Sequence, residues 1–273
     1  MDWPNFTTLQ LDEQSGVVHI WLNRPDVRNA MSLDMVNELN TLFEIADANP
    51  AIRALVLRGK GGHFCAGGDI RDMANARARA AKGDGDPFFE LNRAFGRMIT
   101  RANRVACPLV AVLEGAVLGG GFGLACVSDI ALAHAECQFG LPETGLGIPP
   151  AQIAPFVVQR IGLTRARALA LTGARFDGRT ALHYGLVHET AETAEALEQT
   201  LENTLEQIRR CAPAANRTTK RLLLETLERP LEKVLDEAAR DFSAAIQGEE
   251  GQEGTLAFMQ KRKPRWAEEP DNA

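Results

Sequence analysis

The chain alternates short, β-branched apolar runs with amphipathic stretches. VVHIWL at 17–22 stops at Asn23-Arg24-Pro25, which predicts a strand running into a turn. A helix is expected next. Ser32 is a good N-cap, and Leu33, Val36, Leu39, Leu42, Phe43 and Ala46 recur at three- and four-residue spacing until Asn49-Pro50 closes the segment. ALVL at 54–57, LVAVL at 109–113 and IALA at 130–133 read as buried strands, each ending at a glycine or polar corner. Strands alternating with helices point to an α/β chain, and their uneven spacing excludes a strict repeat. The run at 74–87, ANARARAAKGDGDP, reads as a frayed helix end and a flexible loop. Beyond about residue 190 the pattern turns to long amphipathic helices. Leu197, Leu201, Leu205 and Ile208 share a stripe that residues 222–224, Leu227, Leu231 and Val234 continue, and Pro213 and Pro230 mark helix boundaries. The expected organisation is a core over residues 1–190 and a helical region over 191–273.

With 273 residues and 45% hydrophobic positions, the chain can bury a sizeable core. Lys and Arg number 30 against 36 Asp and Glu, and a net charge of -6 argues against a dedicated nucleic-acid binder. Two basic clusters, RTTKR at 217–221 and KRKPR at 261–265, admit an RNA-binding alternative, although a solvated helix face explains them as well. The longest apolar, charge-free stretch is too short for a membrane span, and the opening MDWPNFTTLQ lacks the pattern of a secretory signal. A cytoplasmic location is expected. Five scattered cysteines without a C-x-x-C pair suggest buried small hydrophobes, neither a disulfide framework nor a zinc site.

The chemistry is carried by two glycine corners and one acid. Phe64-Cys65-Ala66-Gly67-Gly68-Asp69-Ile70 follows one strand, and Gly119-Gly120-Gly121 follows another and opens an apolar helix. Glycines there serve turns or close packing; they also leave backbone N–H groups unobstructed, and two such corners with a helix dipole can converge on one oxygen. Glu143, in Leu141-Pro142-Glu143-Thr144-Gly145, is an acid within an apolar run. Desolvation there suits it to proton transfer near neutral pH, while an acid after proline also fits an ordinary first helical turn. No G-x-S-x-G turn, H-E-x-x-H, phosphate loop or Ser/His arrangement is present, and the five histidines share no spacing.

Taken in order, LNRPDVRNAMS at 22–32, FCAGGDI at 64–70, LEGAVLGGGFGLACVSDIALA at 113–133, FGLPETGLGIPP at 139–150, GLV at 185–187 and AFMQKRKPRW at 257–266 resemble the enoyl-CoA hydratase/isomerase, or crotonase, family. The match is collinear over nearly the whole chain. The resemblance implies a ClpP-like spiral of strand-strand-helix turns and a C-terminal helical region that assembles trimers, often paired into hexamers. The ligand it implies is an acyl-CoA, which enters as substrate; no metal or other cofactor is required. Gly68 and Gly120 match the two backbone donors for the thioester oxygen, and Glu143 matches one of two glutamates found in typical hydratases. Ala66, Asp69 and Ile70 match positions that wrap the CoA moiety, Arg28 borders the same ligand, and Phe258 and Lys261 match a tail that contacts CoA, sometimes from a neighbouring subunit. The second glutamate is replaced by Gly123. Enoyl-CoA isomerisation therefore stays open beside hydration. The stretches at 119–133 and 145–162 resemble bacterial hydratases of 3-branched glutaconyl-CoA esters, the isohexenyl ester before the methyl one. Arg77, Arg79, Arg97 and Gln152 are candidates by position to meet the second carboxylate of such a substrate.

Overall fold

A computed structural model describes residues 3–268. β1 (Leu9–Gln14) and β2 (Val17–Leu22) pair antiparallel through Ser15-Gly16, both at positive φ as a two-residue hairpin requires. Ser32 caps α1 (Leu33–Ala48) by accepting the Met35 N–H at 3.2 Å, and the helix buries Met35, Val36, Leu39, Leu42, Phe43 and Ala46 along one face. β3 (Ala54–Gly59), β4 (Leu109–Leu113), β6 (Ile130–His134) and β9 (Glu189–Ala191) then add in parallel to β2, giving a six-stranded sheet ordered β1-β2-β3-β4-β6-β9. Strands covered on both faces are apolar without alternation, and every position of β3 and β4 is buried.

A smaller sheet lies beside it, with β5 (Ala116–Leu118) parallel to β7 (Gln138–Gly140) and β7 antiparallel to β8 (Arg175–Phe176). β4 leads directly into β5 and then α4 (Gly120–Val127), and β6 into β7 and then α5 (Ala154–Thr172). Each turn lays one strand in the large sheet and one in the small sheet, and then a helix. That is the spiral implied by the motifs.

α2 (Ile70–Ala81) is a regular helix through most of the stretch expected to fray. Its alanines and arginines are strong helix formers, and the interruption shrinks to residues 82–86 because Asp86 caps α3 (Pro87–Arg104), with Pro87 opening its first turn. After α6 (Gly178–Tyr184) and β9 come α7 (Ala194–Arg210), α8 (Pro213–Glu225), α9 (Leu231–Gln247) and α10 (Glu249–Gln260). The leucine stripe of this region divides. Leu197, Leu201, Leu205 and Ile208 of α7 pack on Val17, Ala54, Val56, Val110, Val112 and Leu132, the second face of the large sheet. The boundary expected at residue 190 thus falls inside β9, and the helix beyond it belongs to the sheet's packing. Leu223, Leu227 and Leu231 are instead exposed, and only Val234 of the continuation is buried. Four cysteines are buried as expected, but Cys211 is exposed where it ends α7. Among the described residues, no helix is long and apolar enough to cross a membrane.

Candidate active site

The two glycine corners meet because the first is zipped to β5. The Cys65 N–H donates to the Ala116 carbonyl and the Leu118 N–H to the Cys65 carbonyl, each at 2.9 Å. Gly119, at φ 51° and ψ -115°, takes a conformation left to glycine, and its N–H donates to the Gly140 carbonyl at 3.1 Å. A side chain has no room here: a Cβ on Gly119 would lie 3.5 Å from the Gly67 Cα and 2.9 Å from the Glu143 Oε1. Gly120 is consequently the first residue of α4, at the positive end of that helix. On the other corner, the Met31 N–H donates to the Gly67 carbonyl (2.8 Å) and the Asp69 N–H to the Met31 carbonyl (3.0 Å), so by the alternation of an extended chain the Gly68 N–H faces away from Met31. Among the described residues, neither the Gly68 nor the Gly120 N–H has a protein acceptor.

Glu143 starts a single 3-10 turn, Glu143–Leu146, that closes on Gly147 at φ 78° and is fastened to α5 by the Thr144 hydroxyl donating to the Ala170 carbonyl at 2.8 Å. Its side chain is half-buried, Oε1 lies against Gly119, and Oε2 is buried without a hydrogen-bond partner. Burial pushes the Glu143 carboxyl up from the ordinary glutamate range, opposed by its own backbone N–H. Two unpaired N–H groups beside a desolvated carboxyl can stabilise a developing oxyanion and move a proton next to it.

Position 123 is closed. A Cβ on Gly123 would lie 2.4 Å from Ile153 Cγ2 and 2.8 Å from Ile99 Cδ1, so those two side chains fill the space a second glutamate would need. Phe95 stands over Gly120, with its ring 3.2 Å from where a Cβ would be. The floor of the site is therefore apolar, built from α3 and the residue before α5.

The remaining candidates separate into a rim and a tail. Arg28, exposed at φ 51°, accepts the Ala66 N–H on its carbonyl at 3.0 Å, and Ile70, 79% exposed, follows Asp69 on the same edge. Asp69 is buried and engaged within the protein: it caps α2 through the Arg71 N–H and pairs with Arg24 at 2.6 Å. Burial works to raise its carboxyl, yet the Arg71 N–H and Arg24 hold it below the usual range. Phe258, 86% exposed, and Lys261 sit at the C-terminal end of α10, and among the described residues no hydrogen bond or ion pair joins them to the rim. Arg77 and Arg97 are exposed, and Arg79 pairs with Asp84 and Glu90. Gln152 is held by two partners, accepting from Arg93 and donating to Asn92, each at 2.7 Å.

Sequence reading missed three groups. Asn29, buried at φ 55°, accepts the Arg24 N–H and donates to the Lys60 and His63 carbonyls at 2.8 and 2.7 Å, tying the turn after β2 to the turn before the first glycine corner. Asparagine's tolerance of the left-handed region was the available signal. Arg24, which holds Asp69, and Arg93, which holds Gln152, carried none.

Burial pushes the Cys65 thiol up to about 11 and that of Cys126 to about 12, so neither thiol near these corners is a nucleophile at neutral pH. The basic clusters are largely consumed within the fold. Arg217 donates to the Asn49 and Ile52 carbonyls, Lys220 pairs with Asp129 at 2.6 Å, Arg221 with Glu225 and Asp241, and Arg262 and Arg265 with Glu253.

Comparison with known proteins shows the family and the fold. Residues 12–269 match the family model described as enoyl-CoA hydratase/isomerase. The chain is 32% identical to the peroxisomal Delta(3,5)-Delta(2,4)-dienoyl-CoA isomerase of Arabidopsis thaliana, over 98% of this chain and 99% of that protein. It is 33% identical to the enoyl-CoA hydratase ACTT6 of Alternaria alternata, over 90% of this chain and 79% of that one. The solved structure of Pseudomonas aeruginosa AtuE superposes with a TM-score of 0.93 at 61% identity, covering 96% of this chain and all of that one.

Proposed function

Because this chain belongs to the enoyl-CoA hydratase/isomerase family, we propose that it adds water to a 3-branched glutaconyl-type 2-enoyl-CoA, isohexenylglutaconyl-CoA before methylglutaconyl-CoA. The thioester oxygen lies between the N–H groups of Gly68 and Gly120, and charge grows on it as water attacks the β-carbon. Donors fixed in advance favour that enolate over the ground state. Glu143 takes a proton from the water and returns one to the α-carbon, giving a 3-hydroxyacyl-CoA. The observation that carries this reading is the Glu143 Oε2, buried, unpartnered and raised in basicity next to a pair of open amides.

The closed notch at Gly123 favours a second reading, double-bond isomerisation, in which one carboxylate carries a proton between two carbons. A panel of straight, 3-branched and dicarboxylic enoyl-CoA esters, scored by mass, decides: gain of one water from a 2-enoyl ester supports hydration, and migration of the bond without a mass change overturns it. Arg28, Ala66 and Ile70 are suited to border the CoA moiety, with Asp69 shaping that edge from within. Phe258 and Lys261 would reach it from a neighbouring subunit. The exposed Leu223, Leu227, Leu231, Phe242 and Phe258 supply apolar surface for a homotrimer or a hexamer.

The basic form of Glu143 is the working one, and its carboxyl is raised, so kcat/KM rises with pH through an apparent pKa above that of a free glutamate. The same shift acts on stability. Below the unfolded-state pKa both states are protonated; above it, ionising Glu143 costs the folded state more. Glu143→Gln therefore gains in Tm relative to wild type as pH rises through that window, which a pH series of thermal melts reads directly.

A further inference from the structure

Arg93 is half-buried on α3 beside the apolar floor of the site, and among the described residues no carboxylate lies within ion-pair distance of it. Such a cation normally finds an anion, since a planar guanidinium offers five N–H donors. Among the described residues only its Nη1 is engaged, donating to the Gln152 Oε1 at 2.7 Å. Gly96 makes this placement possible: a Cβ there would fall 2.6 Å from the Arg93 Nη1 and 2.0 Å from the Gln152 Oε1, in the space those groups occupy. Gln152 is in turn oriented by its donation to Asn92. It directly precedes Ile153, which fills the notch at Gly123, and Phe95 and Ile99 of the same helix form the rest of the floor. The guanidinium is thus tied, over Gly96, to the residue that precedes Ile153, on the stretch that closes the notch at Gly123.

We propose that Arg93, positioned by Gln152 across the gap left by Gly96, is the specificity residue that receives a carboxylate at the far end of the substrate's acyl chain. This rests on the acyl-CoA reading above and deepens it. The site then distinguishes dicarboxylic from monocarboxylic acyl thioesters by a charge-assisted, bidentate-capable contact. Neutral chains still occupy the floor, but leave the guanidinium unmatched.

Binding of saturated thioesters tests this independently of catalysis, because they can be neither hydrated nor isomerised. 3-Methylglutaryl-CoA and 3-methylvaleryl-CoA, which differ by carboxylate against methyl, are titrated calorimetrically into wild-type protein, Arg93→Gln and Arg93→Lys. In wild type the dicarboxylic ester binds about 10- to 100-fold tighter, the range of a hydrogen bond to a charged group. Arg93→Gln loses that preference while 3-methylvaleryl-CoA affinity stays unchanged, which also shows the variant to be folded. Arg93→Lys keeps the charge without the planar fork and retains a part of it. Equal affinities in wild type, or a preference that survives in Arg93→Gln, overturns the proposal. Discriminating binding without any hydration overturns the hydratase reading and leaves this one standing.

Discussion

Glu143→Gln lowers kcat by about 10²- to 10⁴-fold, the span typical of a lost general base, while the affinity for a CoA ester changes little. The amide is nearly isosteric with the carboxylate, so the 3-10 turn held by Thr144 and the contact with Gly119 survive. What disappears is the ability to take a proton. Steady-state kinetics on the ester identified by the panel, with binding of its saturated analogue as control, separates the two effects. Hydration at the wild-type rate would remove Glu143 from the mechanism.

Gly119→Ala carries the second large effect. At φ 51° and ψ -115° an L-residue is strongly strained, and the added methyl would sit 2.9 Å from the Glu143 Oε1. Relaxing either conflict rotates the peptide that sets Gly120 at the start of α4, turning its N–H away from the position shared with Gly68. Loss of one oxyanion donor costs about 100- to 1,000-fold in kcat, with stability falling by roughly 1–3 kcal/mol from the strained backbone. Thermal melts and kinetics on the same preparation distinguish the two. A variant with normal kcat and a lowered Tm would show that the Gly120 amide is not a donor in the reaction.

The parts of this molecule written into local stretches of chain were legible. The strands at 17–22, 54–57, 109–113 and 130–133 announce themselves as runs of β-branched and aliphatic residues, and Ser32 marks its helix by the chemistry of capping. β5, β7, β8 and β9 did not, because two or three residues give at most one period of alternation. The spiral consequently came from the order of motifs. At the site, the glycine corners and Glu143 stood out because each departs from its surroundings in residue type. The filling of the Gly123 notch by Ile99 and Ile153 had no such mark: two isoleucines in apolar stretches look like any core residues until the fold brings them together. Arg93 was hidden for the same reason, lying among other arginines of α3 and distinguished only by the glycine three positions on and by Gln152 from a distant loop.

The placement of α7 bears on how the protein is made. Five strands of the large sheet, β1, β2, β3, β4 and β6, are made by residue 134, yet one face stays wet until Leu197 to Ile208 arrive to cover it. A nascent chain must therefore carry an open, aliphatic surface through the synthesis of some seventy further residues, an interval in which ribosome-associated chaperones have something to hold.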